Sequence, residues 1–374
     1  MCMKGLTIKM CLLAVLSLFV INVSAQRTVR QQADSIVKYQ MKSGGWPKNQ
    51  DWLKGVDPKE AALWKATGIG STIDNGATVT EMEHLAAAVN LVDMMMTENA
   101  MWLDKDLLND ERKAYCKAFT RGLDFLLNMQ YDSGGFPQFY PPKNTESYTS
   151  QITFNDQAMV SALKLLRDVA NGSTRFNGLR VDKSVKKKCQ TAFERGIQCI
   201  LFCQIRVDET GKVIPFDTPG WRLGIPTVWC QQHDKDTFDP VKARAYELPS
   251  FSGHGETCAI LELLMDLENP SAEVKMAVKA GVEWLKAHAM HDVALEHFTN
   301  EDGKPDVRLV RHEGAPLLWA RLYDLEKAEP LFCDRDGIPR KHLEDVGYER
   351  RNGYQWVGNG PQRVIERYEK WSQR

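Results

Sequence analysis

The sequence carries one string twice, and this repetition limits the possible fold more than any other feature. Gln40-Met41-Lys42-Ser43-Gly44-Gly45-Trp46-Pro47 returns 90 residues later as Gln130-Tyr131-Asp132-Ser133-Gly134-Gly135-Phe136-Pro137. Residues 26–41 and 109–129 read as helices that each string closes. In the second, Phe119, Leu123, Leu126 and Leu127 recur at the spacing of one buried face. Each string opens a long loop, and after each loop an acid–amide pair, Asp74-Asn75 and then Asn155-Asp156, leads into another helix. A helix–loop–helix unit that repeats buries its apolar face against its neighbours. Thr78, with Glu81 three residues on, has the form of a capping box opening a helix to about Met95. Further helices are expected over 156–170, 184–204, 254–267, 270–288 and 314–327, with short strands at Val213–Phe216 and Val307–Val310. The expected fold is all-α: antiparallel helix pairs around an axis, with long loops at one end carrying the site.

Thr227–Glu256 is the richest of these loops. It holds His233, Asp234, Asp236, Asp239, Lys242, Arg244 and Glu256, with Trp229 and Tyr246 among them. No period runs through it, and Pro240, Pro249, Gly253 and Gly255 interrupt it. A long loop in a compact domain is usually functional or disordered. Its aromatic residues and mixed charges point to function.

Composition decides less. Of 374 residues, 43% are hydrophobic and 26% charged, and the net charge is −1. Nothing in that balance suggests nucleic acid or an acidic membrane as partner. Lys4 and Lys9 precede the 12-residue apolar run Met10–Ile21, and Val23-Ser24-Ala25 offers small residues before Gln26. Residues 1–25 therefore read as a signal peptide, and residues 26–374 as the exported mature chain. The run is short of the ~20 residues of a spanning helix, and no other segment would span a membrane. Cys2 and Cys11 would leave with the signal. The odd remainder, Cys116, Cys189, Cys199, Cys203, Cys230, Cys258 and Cys333, does not suggest a complete disulfide framework.

Asp74 and Asp156 sit at matching places in the repeat, each beside an Asn. Brought together, they would suit Ca²⁺ or Mg²⁺. They would equally suit the acid pair of a glycosidase, or simply cap helices. Arg244, Arg321 and Arg335 lie in or beside loops rich in Gly, Pro and Asp. Arginine forks bind carboxylates at two points, so the set suits an acidic polymer. His233 beside Asp234 reads as a base or as half of a structural pair. Zincin, P-loop, nucleophile-elbow and dinucleotide signatures are all missing from the sequence.

Eight strings, in order along nearly the whole mature chain, resemble the pectate lyases of polysaccharide lyase family ten. They are Gly44–Asn49, Thr72–Thr78, Gly134–Pro141, Ile152–Met159, Thr227–Asp234, Ala243–Ser250, Leu318–Tyr323 and Gly353–Trp356. The resemblance implies an incomplete (α/α) toroid of helix hairpins whose long loops form a substrate groove. It also implies a monomer that cleaves polygalacturonate by Ca²⁺-assisted anti β-elimination. On this resemblance Arg244 matches the catalytic base, and Asp74 and Asp156 match the acids that hold Ca²⁺ against a sugar carboxylate. Arg321 and Arg335 match carboxylate-binding arginines, and Lys48, Asn75 and His233 match groove residues. Against the family pattern, Gly211–Pro226 is expanded and Gly253–Glu256 is one residue longer. The rival expectations are a toroidal glycoside hydrolase using Asp74 and Asp156, and a non-catalytic pectin-binding protein.

Overall fold

The computed structural model describes residues 24–97, 104–142 and 144–373. Residues 1–23, which hold most of the expected signal peptide, lie outside them. Among the described residues no helix is long and apolar enough to cross a membrane, and the seven cysteines above are free thiols.

Helix dominates. In chain order the helices are α1 (residues 24–38), α2 (Pro58–Thr67), α3 (Val79–Thr97), α4 (Lys105–Met129), α5 (Ala158–Ala170) and α6 (Lys183–Cys203). They continue with α7 (Glu256–Met265), α8 (Ala272–Ala287), α9 (Tyr348–Asn352) and α10 (Gly360–Trp371). Start signals are local. Asp104 accepts the amides of Asp106 and Leu107 ahead of α4, and Ser271 accepts that of Val274 in α8. Thr78 does not cap α3 with its hydroxyl. That group donates to the Thr72 carbonyl and accepts from the Trp46 amide, while Glu81 accepts the Trp52 indole.

The chain divides into two compact units. One comprises residues up to Thr72, Ala77–Asn128 and Asp168–Lys188; the other comprises Ile73–Gly76, Met129–Arg167 and residues from Cys189 onward. The first buries Trp46, Met82, Leu85, Val89, Tyr115, Phe119 and Phe125. The second buries Leu163, Ile200, Trp229, Ile260, Leu264, Val278 and Trp319.

Each unit contains one copy of the repeated string, folded alike. Gln40 Nε2 donates to the carbonyls of Gly44 and Ala118, and Gln130 Nε2 to those of Gly134 and Ala192. Gly44 and Gly134 have φ of 100° and 88°, and a Cβ on either would lie 2.2 Å from a helix carbonyl, of Arg121 or Arg195. Only glycine permits that approach.

A second repeat emerges in the fold. Trp229–Pro240 and Trp319–Pro330 are offset by 90 residues and make the same turn. Asp234 Oδ1 accepts the amides of Asp236 and Thr237, as Asp324 Oδ1 accepts those of Glu326 and Lys327. Trp46, Trp229 and Trp319 each donate their indole N–H at 2.7 Å to a carbonyl of the helix before them, Ile36, Ile200 and Leu285. A buried indole needs such a partner.

The helix expected at 314–327 does not form. Trp319–Ala320 and Leu322–Tyr323 are short strands, paired with Val357–Gly358 and with Phe251–Ser252 and Pro330–Cys333. Long-range ladders outweighed an apolar run that periodicity alone cannot assign. Val307–Val310 is strand, within the hairpin Val293–Thr299/Pro305–Arg311. Of Val213–Phe216 only Val213 bridges, to Val207, while Arg206–Val207 pairs with Ile225–Pro226. Helix α10 buries Val364 and Ile365, packs on α7 and α8, and ties Arg363 and Arg367 to Glu262 and Asp266.

Candidate active site

Two short turns bring the acids together. Asp74–Gly76 and Asn155–Gln157 are single 3₁₀ turns packed against each other in the second unit. Their left-handed residues are Asn75 (φ 53°, ψ 31°) and Asp156 (φ 51°, ψ 28°). The register is thus Asp74 with Asn155 and Asn75 with Asp156. The two acids do not hold equivalent positions, as the sequence had suggested, but exchanged ones. Asp74 and Asn155 point inward and are buried, whereas Asn75 is exposed and the Asp156 side chain keeps 34% of its exposure. Neither aspartate is a simple helix cap, because each sits inside its own turn.

Asn155 and Glu256 lie at the centre of a buried polar network. Arg321 Nη2 donates to Glu256 Oε1 at 2.7 Å and to Asn155 Oδ1 at 3.2 Å, and lies 3.6 Å from Asp156. Gln231 occupies the slot of Arg321 in the other copy of the tryptophan repeat. It donates to the same two atoms, at 3.1 and 3.3 Å. Ser252 Oγ donates to the second oxygen of Glu256. Burial would push the Glu256 carboxyl up, but Arg321 and these donors outweigh it and hold it below its ordinary pKa. Burial likewise opposes the charge on Arg321, and Glu256 more than restores it, so that pKa is raised. Arg321 Nε is buried and makes no hydrogen bond, and its guanidinium lies 4.5 Å over the Tyr354 ring.

Tyr354 links this network to Arg244. Its hydroxyl lies 3.2 Å from Gln231 and donates to Glu247 Oε1 at 3.1 Å. Glu247 accepts Arg244 Nε at 2.6 Å and Nη2 at 2.5 Å. Burial disfavours the Arg244 charge, but the Glu247 hydrogen bonds and charge prevail, and its pKa is raised. The Arg244 charge is felt at Asp156, which it helps to stabilise.

Asp156 is raised above the ordinary carboxylate range. Burial is the main cause, only partly offset by Arg321, and the charges of Glu256 and Asp74 add to it. Two carboxylates that repel one another in this way suit a hard cation. Calcium takes 6–8 oxygens, and among the described residues no group of three or more His, Cys, Asp or Glu forms a cage. Asp74 and Asp156 offer oxygens of the kind a hard cation takes, and with no third acid completing the group among the described residues they would need further oxygens from outside the protein.

The remaining sequence candidates divide. Asn75 lies beside Asp74 in this cluster. Arg335 is exposed and paired with Glu349 at 2.9 and 3.0 Å, 5.8 Å over the Tyr246 ring. His233 is fully buried. Its Nε2 accepts the Cys230 amide, so Nδ1 donates to the Phe238 carbonyl, and burial lowers its pKa to about 4. It is a neutral brace for its turn and presents no free nitrogen to a groove. Lys48 belongs to the first unit, in the loop after Trp46. The sequence marks Glu256 as one polar group of its loop and Tyr354 as a tail aromatic, with no role for either, and does not mark Gln231 or Glu247. The tryptophan repeat would have flagged Gln231 opposite Arg321, but no local pattern marks Tyr354.

The profile of the pectic acid lyase family matches residues 40–365. The chain belongs to the pectic acid lyase family. It is, accordingly, a polysaccharide lyase. Two solved structures from Cellvibrio cellulosa resemble this lyase over 93% of its length at 30% sequence identity. One is a family 10 polysaccharide lyase (TM-score 0.71, 95% of that chain covered). The other is a mutant of such a lyase in complex with trigalacturonic acid (TM-score 0.70, 96% covered). No curated protein sequence matches the lyase. Of the sequence expectations, family membership and enzymatic class hold. The helical fold holds with the small sheets added.

Proposed function

We propose that this lyase cleaves de-esterified polygalacturonate by Ca²⁺-dependent anti β-elimination, with Arg244 as base. The observation that carries the reading is the convergence of Arg244, Arg321, Asp74 and Asp156 in one unit, around acids poised for a cation. The relative bound to trigalacturonic acid supports the substrate class. The same reading takes the helix hairpins as parts of an incomplete (α/α) toroid, and takes the chain as exported after cleavage near Ala25.

The chemistry follows from the uronate. Its C5 proton lies alpha to a carboxylate and is only feebly acidic. Calcium held by Asp74 and Asp156 would supply positive charge at that carboxylate. Arg321, whose Nη2 lies 3.6 Å from Asp156, adds a fixed positive charge beside the same group. Arg244 in its neutral form accepts the C5 proton. The C5–H electron pair becomes the C4–C5 double bond, and the C4–O bond breaks. Its electrons leave with the glycosidic oxygen, which is protonated by solvent. Arg335, exposed to solvent, is assigned to a further sugar carboxylate, and Asn75 is retained as a groove residue.

A raised Arg244 pKa makes the neutral guanidine scarce at neutral pH, and a raised Asp156 pKa weakens cation binding in acid. Both give activity that climbs toward alkaline pH. The test is the ultraviolet absorbance of the unsaturated product on polygalacturonate, with Ca²⁺ and then with chelator, for wild type and R244A. Absorbance that needs both Ca²⁺ and Arg244 is expected. New reducing ends without absorbance would mean hydrolysis, and binding without turnover would mean a pectin-binding protein.

A further inference from the structure

We infer that Glu247 is a positioning residue for this elimination: it grips Arg244 along the Nε–Nη2 edge and leaves Nη1 as the nitrogen offered to the substrate. The inference rests on the proposed role of Arg244 as base.

The grip is built into one turn. The Glu247 side chain is 1% exposed, whereas that of Arg244 is 37% exposed. One carboxylate oxygen takes Arg244 Nε at 2.6 Å and the Arg244 amide at 3.2 Å. The other takes Nη2 and the Tyr354 hydroxyl. The backbone closes the same turn, with the Glu247 amide on the Arg244 carbonyl at 2.9 Å and the Ala243 amide on the Glu247 carbonyl at 3.0 Å. With both oxygens held, the carboxylate cannot swing, and a bidentate fork fixes the guanidinium plane. Nη1 is the one guanidinium nitrogen of Arg244 without a hydrogen bond to the described residues. A base must sit within a fraction of an ångström of its productive place, because a misplacement of about 1 Å can cost roughly 100-fold in rate.

The grip also opposes the reaction. Glu247 favours the charged guanidinium, and the proton must leave before Arg244 can accept another. The other groups facing Arg244 are the ring of Tyr246 at 5.2 Å, Tyr354 and Asp156, with Arg350 and Arg335 across the Tyr246 ring. Glu247 thus trades basicity at neutral pH for alignment.

The experiment is steady-state elimination on polygalacturonate at saturating Ca²⁺, across pH, for wild type, E247Q, R244A and the double variant. E247Q is expected to lose roughly 100-fold in kcat with little change in KM. Its rising alkaline limb should move to lower pH, because the charge that holds the Arg244 proton is gone. The double variant should be no slower than R244A. If R244A is dead while E247Q keeps the wild-type kcat and pH profile, the role of Glu247 is overturned and the base assignment stands. An active R244A would instead remove the base assignment, and the positioning role with it. A lowered Tm with unmoved pH profile and kcat per folded enzyme would make Glu247 merely structural. Should E247Q fail to fold, E247D carries the test. It keeps the charge and shortens the reach, so kcat should fall without a pH shift, and a wild-type kcat there overturns the inference.

Discussion

Arg244 and Arg321 each donate to a glutamate withdrawn from solvent, but the two pairs are built over different distances along the chain. Arg244 and Glu247 are three residues apart in one turn, and the Arg244 side chain is 37% exposed. Arg321 and Glu256 are 65 residues apart, with side chains only 11% and 2% exposed. The distant pair joins a strand segment to the start of α7 and shares its acceptors with Gln231 and Asn155. The local pair holds one side chain at the edge of the site. A pair closed within a turn can present a reagent, because the fold does not hang on it. A pair closed across the fold belongs to the frame.

The largest effect expected from this contrast is on turnover. R244A should lower elimination by about 10²–10⁴-fold, with a smaller loss of Tm than R321A, because water can enter beside Glu247. Equal losses of Tm in the two variants would break the comparison. R321A should be the more damaging to stability. It leaves Glu256 buried without its cation, which costs about 3–5 kcal/mol, measurable by denaturant unfolding. The next effect is in acid. The Glu256 pKa is lowered by folding, so its contribution is full above its unfolded value of about 4.3 and is lost as pH falls through the lower folded value. E256Q should flatten that part of the stability profile. If the wild type and E256Q lose stability in parallel below that pH, the Arg321 pair does not control it. The smallest effect is expected for Y354F. The hydroxyl joins Gln231 to Glu247, and its loss should cost about 1 kcal/mol. Measuring Y354F in R244A and R321A backgrounds would show which pair the tyrosine supports.

Legibility in the sequence followed the same division. Gly44 and Gly134 could be read as turns because a left-handed backbone angle is a local requirement, whereas the helix carbonyls of Arg121 and Arg195 that press on them are supplied by the fold. Both acids could be named as candidates, yet their register was misjudged. In the sequence Asp74 and Asp156 look like counterparts, because both are acids beside an Asn. The left-handed angles show instead that Asn75 and Asp156 are the matching residues. The family resemblance makes His233 a groove residue, and its neighbour Asp234 makes it a base or half of a structural pair. Only the fold shows both ring nitrogens spent on backbone groups. The acids of the 234–239 loop were counted as site chemistry, and Asp234 proves to be a turn builder. The helix expected over 314–327 failed for a similar reason, since its strand partners are contributed by Phe251–Ser252 and Val357–Gly358.

By itself the sequence determined the repeat, the helices and the residue types of the site. Periodicity, caps and glycine angles act within a few residues, and each leaves its mark in the string. The tertiary structure alone decided that Arg321, Gln231 and Glu256 share one buried network and that Tyr354 joins it to Glu247. It alone turned Asp74 inward and Asp156 outward. Those outcomes depend on burial and on partners many residues away. A buried charge must find a counter-charge wherever the fold brings one, and no neighbouring residue records which one it will be.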